Sequence, residues 1–195
     1  MKKGRGKQIG GKWERDFCKF LSRWIDPDSK ELYFWRSAGS GSVFTVSKGK
    51  IGANFAGDVC AIAEKGEFFC NLFSCELKCG YPNASLNNHL KSNKSDELKG
   101  FWEQCVMDAI LSGKKPLLIF KKKGNHPWIG IDIDLFKKLK TKLLKKTLFV
   151  HLYWNEIEVD EEKYKEIFLF DMNHFFEIIQ PNDIKKIKWK SILNL

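Results

Sequence analysis

The sequence is short of proline, with five in 195 residues, and of methionine, with three. It contains no unbroken apolar run of the ~18 or more residues that a membrane-spanning helix needs, so no membrane association is expected. Its basic start, MKKGRGK, runs into glycines and not into an apolar stretch, which is not the pattern of a secretory signal and points to the cytoplasm. No Cys-x2-Cys pair occurs. Cys70, Cys75 and Cys79 are separated by four and then three residues, a poor match to the usual zinc-ligand spacing. The six cysteines lie mostly inside apolar runs such as DVCAIA, where reduced, buried thiols belong.

Acid is also missing, locally. Residues 1–12 carry five Lys/Arg without a carboxylate, 114–123 carry five lysines without one, and 137–146 carry six lysines. The acids gather instead in 156–171, and the net charge is +10. Clustered base apart from clustered acid suggests a surface that faces a polyanion such as nucleic acid; a lysine-rich solvated exterior is the other reading.

With 43% hydrophobic and 14% aromatic residues, the chain can fill an ordinary core. Residues 1–12 read as a flexible basic arm and 13–195 as one α/β domain. Trp13, Phe17, Phe20, Leu21 and Trp24 recur at helical spacing, with Glu14 at the edge of the stripe. Strands are expected at 32–36, 43–46 and 57–63. A further strand over 68–78 would pair with 57–63 as a hairpin through the EKGE turn. A long polar loop (79–97), a helix over 98–113 and a buried strand at 116–120 follow. The remainder alternates again: WIGIDI, a helix over 134–146, TLFVHLYWN, IFLF, and a last helix near 171–179.

The stretch FFCNLFSCELK carries two charges at the end of an apolar run. Side chains alternate along a strand, so Glu76 and Lys78 share one face while Leu77 points to the other. If the hairpin forms, Asp58 at the start of one strand comes beside Glu76 near the end of the next. Two carboxylates suit a hard cation such as Mg²⁺, and a lysine beside them can orient or deprotonate a water and offset charge on a phosphate.

Asp58 followed by Glu76-Leu77-Lys78 resembles the PD-(D/E)XK nuclease superfamily, in which an acid opens one strand and an acid-x-Lys triplet lies on the next. Helix, strands, helix, strand is also that superfamily's order. The resemblance covers about residues 11–123, with Gly57 in place of the name-giving proline. The likeness implies a restriction-endonuclease-like core of about 13–123, a mixed central sheet flanked by helices, and an extension over 124–195. Glu14 matches an acid that many members place on the first helix. Gln104 matches a glutamine of the phage and recombination branch, and Lys121 ends that branch's next strand. Arg36, Ser40, Gly41 and Ser42 resemble the Arg and Ser-Gly-Ser loop of archaeal-type and phage Holliday-junction resolvases.

The resemblance implies a Mg²⁺-dependent DNA endonuclease, with Mn²⁺ able to substitute. Asp58, Glu76 and the Leu77 carbonyl would hold the metal. Lys78, Gln104 and Glu14 would be catalytic, and Arg36, Ser40, Ser42 and Lys121 would touch DNA. Branched DNA, a homodimer and a viral or prophage source go with it. A restriction-type or repair endonuclease on duplex DNA, or a non-catalytic DNA-binding module of the same fold, are the alternatives.

Overall fold

The computed structural model describes residues 5–37, 56–81, 97–122, 124–155, 157 and 162–188. Helix α1 (Arg5–Ile25) buries Phe17, Cys18 and Leu21, with Trp13, Phe20 and Trp24 packed beside them. It begins at Arg5, so residues 5–12 extend the helix where the sequence pointed to a flexible arm. The added turns have something to pack on. A methyl group on Gly80 would stand 3.5 Å from the Ile9 side chain, and Gly11 is buried beneath Arg36.

A short ribbon follows, β1 (Phe34–Arg36) antiparallel to β2 (Val59–Ala61), with Arg36 opposite Val59. Next come α2 (Glu64–Leu72) and β3 (Phe73–Cys79). Helix α3 (Glu97–Ser112) then crosses to β4 (Lys115–Lys121), which runs parallel to β3. The chain continues through β5 (Trp128–Ile131), α4 (Ile133–Lys146), β6 (Val150–Tyr153), β7 (Glu166–Asp171), α5 (Met172–Ile178) and α6 (Pro181–Lys185). The five-stranded sheet has the order β3-β4-β5-β7-β6, and all its pairs but β3–β4 are antiparallel. This is the mixed sheet flanked by helices that the sequence implied, and three of its five strands come from beyond residue 124.

Alternation across the sheet builds two cores. Leu117, Ile119, Ile129, Phe168 and Phe170 face α1, α2, α4 and α5, while Leu118, Phe120, Ile167 and Leu169 face α3. Helix α3 fills its side with Phe101, Trp102, Cys105 and Val106 and ends at Gly113, whose φ of 67° suits a residue lacking Cβ.

A second expectation also fails. No hairpin joins 57–63 to 68–78, because residues 64–72 form α2 and only Phe73–Cys79 is strand. A short apolar run such as FFCNLF satisfies either period. Here Glu64 and Glu67 favour a helix start, and Gly66 lets the helix close on the ribbon: a methyl group there would stand 2.7 Å from the Tyr33 carbonyl oxygen. The expected strand at 43–46 lies outside the described residues. Helix α6 was not expected; Pro181 opens it, and Gln180 and Asp183 form its capping box.

At the start of β4, Lys115 is fully buried. Its Nζ lies 2.8 Å from Asp132 Oδ2 and 2.9 Å from Asp134 Oδ2, and Asp132 Oδ1 accepts the Leu135 N–H at 2.8 Å to cap α4. Asp132→Ala removes a cap and half of a buried ion-pair network. It should lower unfolding free energy by about 3–5 kcal/mol in urea titration. A loss under about 1 kcal/mol would mean that the remaining partners of Lys115, Asp134 among them, suffice to hold its charge.

Candidate active site

Strand β3 is an edge of the five-stranded sheet, and its side chains divide as a strand's must. Cys75 and Leu77 enter the core under α1, while Glu76 and Lys78, in register with Leu118 and Phe120, turn toward α3. Glu76 is only 3% exposed.

Asp58 reaches this edge by a route other than the hairpin. Gly57 forms an isolated parallel bridge to Cys75 with φ 78°, and a Cβ there would sit 2.5 Å from the Cys75 oxygen. Proline, fixed near φ −65°, cannot take this conformation, which accounts for glycine at the position named for proline. The Asp58 N–H then donates to the Cys75 oxygen at 2.7 Å, and Asp58 Oδ2 accepts the Leu77 N–H at 2.8 Å. From the other side, the Ser37 N–H bonds the Asp58 oxygen at 3.0 Å and Ser37 Oγ bonds the Gly57 oxygen at 2.7 Å. A strand residue directs its N–H and C=O to the same side, so the Leu77 carbonyl faces the Asp58 edge too.

Lys78 Nζ lies 2.5 Å from Glu76 Oε1, donates to Gln104 Oε1 on α3 at 2.8 Å, and sits 5.4 Å above the Phe101 ring. Glu76 Oε2 is buried and has no hydrogen-bond partner among the described residues. Burial, and next the negative charge of Asp58, push the Glu76 carboxyl up to about 8 against the pull of Lys78. Burial works against the Lys78 ammonium, but the charge and hydrogen bond of Glu76 outweigh it and leave the lysine above its ordinary value.

Glu14 lies to the α1 side of this group. Its Oε2 is 3.4 Å from Arg36 Nε, and Arg36 precedes the Ser37 that holds Asp58. Glu14 and Asp58 are both close enough to act on the Cys18 thiol, which burial above all pushes up to about 12. Lys121 is apart from Lys78: it ends β4 on the α1 face, with Nζ 5.2 Å above the Trp13 ring. The structure thus gathers Asp58, Glu76, Lys78 and Gln104, with Glu14 and Arg36 as a second pair nearby. Ser40 and Ser42 lie outside the described residues. Sequence reasoning missed Phe101, although its place three residues before Gln104 on one helix put it on the same face.

A family model described as "Phage putative PDDEXK endonuclease" matches residues 5–186. No curated protein and no solved structure matches the chain. The chain belongs to that phage endonuclease family and is a nuclease of the PD-(D/E)XK superfamily.

The Glu76 carboxyl binds its proton more tightly folded, at about 8, than at its ordinary 4.5. Its contribution to stability is therefore complete below the lower value and is lost as pH rises through the upper one. In EDTA, the protein should lose on the order of a few kcal/mol between about pH 5 and 8, and Glu76→Gln should flatten that slope. Urea melts of both proteins across this range provide the check. Parallel profiles would mean that Glu76 is already ionised in the metal-free fold.

Proposed function

We propose that this PD-(D/E)XK nuclease hydrolyses DNA phosphodiester bonds with a divalent metal at Asp58, Glu76 and the Leu77 carbonyl, and that its substrate is branched DNA of the Holliday-junction type. The observation that carries the metal reading is the buried Oε2 of Glu76, within reach of the Asp58 charge and unpartnered among the described residues. Two carboxylates brought together in a buried site repel each other, and an oxygen without a donor calls for a cation. An all-oxygen donor set suits Mg²⁺, with Mn²⁺ as substitute, and leaves positions for water. When bound, such an ion lowers the pKa of a coordinated water and offsets charge growing on the phosphate.

The chain's own groups supply the rest. Lys78, held above its ordinary pKa, keeps its proton at neutral pH. It orients the attacking water or a phosphate oxygen as a hydrogen-bond donor. Gln104 and Glu76 fix that ammonium from two sides, so Gln104 works through Lys78. Glu14 enters this reading through Arg36, and Lys121 offers a charge to the DNA backbone from the far side of β4.

The branched substrate is supported by Arg36 and the Ser-Gly-Ser sequence at 40–42, which resemble the resolvase loop. A four-way junction has two symmetric scissile points, so the active species would be a homodimer. A phage or prophage protein acting on DNA inside a cell fits the family's description.

Labelled four-way junction, flap and linear duplex are incubated side by side with Mg²⁺ or EDTA. The expected result is paired symmetric nicks on the junction alone, abolished by EDTA and by Glu76→Ala. Cleavage of duplex at a fixed sequence would replace the resolvase reading with a restriction-type enzyme. Binding without cleavage under any metal would leave a DNA-binding module. Gln104→Ala should lower kcat by about 10-fold to 100-fold with KM little changed, as loss of a positioning contact does.

A further inference from the structure

Helix α1 carries two adjacent glycines, Gly10 and Gly11, in a region where each costs about 1 kcal/mol of helix stability relative to alanine. The structure shows what occupies the room they leave. A methyl group on Gly11 would stand 2.8 Å from Arg36 Nη1 and 3.6 Å from Arg15 Nη1. One on Gly10 would stand 3.9 Å from Glu14 Oε1. Helical side chains lean toward the N-terminus, so Glu14 and Arg15 fall back over the preceding turn, where Arg36 arrives from β1. Two guanidinium groups therefore meet over one buried glycine.

Their charges are not balanced. Glu14 pairs with Arg36, while Arg15 has no ion-pair partner among the described residues. The sequence has no Asp or Glu among residues 1–13 or 32–57, so neither the chain before Glu14 nor that around Arg36 can supply a second carboxylate. Arg36 stays 37% exposed, within reach of a ligand. Its neighbour Ser37 is bonded to Asp58, so the notch opens beside the two-carboxylate site.

We propose that Arg15 and Arg36 together clamp one backbone phosphate of the DNA in the notch over Gly10 and Gly11. The identity of the ligand rests on the nuclease reading; the need for an anion rests on the geometry. Two guanidinium forks bind a phosphate through several charge-assisted hydrogen bonds, which a lysine pair would not reproduce. The phosphate relieves the repulsion between the two arginines, and Glu14 keeps Arg36 from swinging away before DNA arrives.

The test is DNA binding in EDTA, where no cleavage occurs, read by fluorescence anisotropy of a labelled four-way junction and a duplex over a salt series. Arg15→Gln and Arg36→Gln should each weaken binding about tenfold and lower the salt slope by about one. The double variant should bind little worse than either single one, since both arms hold the same phosphate. Gly11→Ala should also weaken binding while its melting temperature holds or rises, which separates a displaced guanidinium from a damaged fold. Wild-type affinity and slope in Arg15→Gln would overturn the clamp, as would strictly additive losses or no DNA binding by the wild type. Weakened binding by Arg15→Gln in a protein that never cleaves would uphold the clamp and sink the hydrolase. Cleavage with Arg15→Gln unchanged would do the reverse.

Discussion

Two hydrogen bonds at the open edge of β3 determine what the rest of the molecule can do. One joins the Asp58 N–H to the Cys75 oxygen and the other joins the Leu77 N–H to Asp58 Oδ2. Together they dock Asp58 on the edge of β3, close enough for its charge to act on Glu76. The first requires the positive φ of Gly57, and Ser37 braces both residues from the ribbon. Without them, Asp58 would be one acid on a short two-stranded ribbon, and Glu76 a buried carboxyl facing Lys78 and the charge of Asp108.

The described residues include two buried lysine–carboxylate groups, which differ in how far their hydrogen-bonding capacity is met. Lys115 at the start of β4 lies between Asp132 and Asp134, and Asp132 also caps α4. Lys78 near the end of the parallel strand β3 is held by Glu76 and Gln104, yet one oxygen of Glu76 has no donor among the described residues. Buried charge is tolerated when its hydrogen-bonding capacity is met. Where it is left unmet beside a second carboxylate, the protein forgoes stability at that place.

The legible part of this fold was what periodicity and residue chemistry state locally. The α1 stripe, the α3 stripe with Gln104, and the alternation of Glu76 and Lys78 along β3 all lie on single elements. The adjacency of Asp58 and Glu76 was read correctly through a hairpin that does not exist. The expected pairing and the observed bridge at Gly57 converge because both bring residue 58 to the same strand edge. What was missed depends on tertiary contact. FFCNLF becomes partly helix because Gly66 lets α2 close on Tyr33, and residues 5–12 continue α1 because Gly80 and Arg36 receive them. Neither fact has a period to detect. The notch over Gly11 is similar: two glycines and two arginines far apart in the chain acquire meaning only when β1 lies against α1.

The ribbon of β1 and β2 places Arg36 within a residue of the bonds that hold Asp58. The Asp58 carboxylate and the Arg36 guanidinium therefore ride on one small body, tied to the sheet through Gly57 and Asp58. Any displacement of that body moves both. Linkage then makes the two occupancies reciprocal: whatever factor a bound polyanion contributes to cation affinity, the cation returns to the polyanion. On the proposed reading, whichever of the two arrives first resets the affinity of the site for the other.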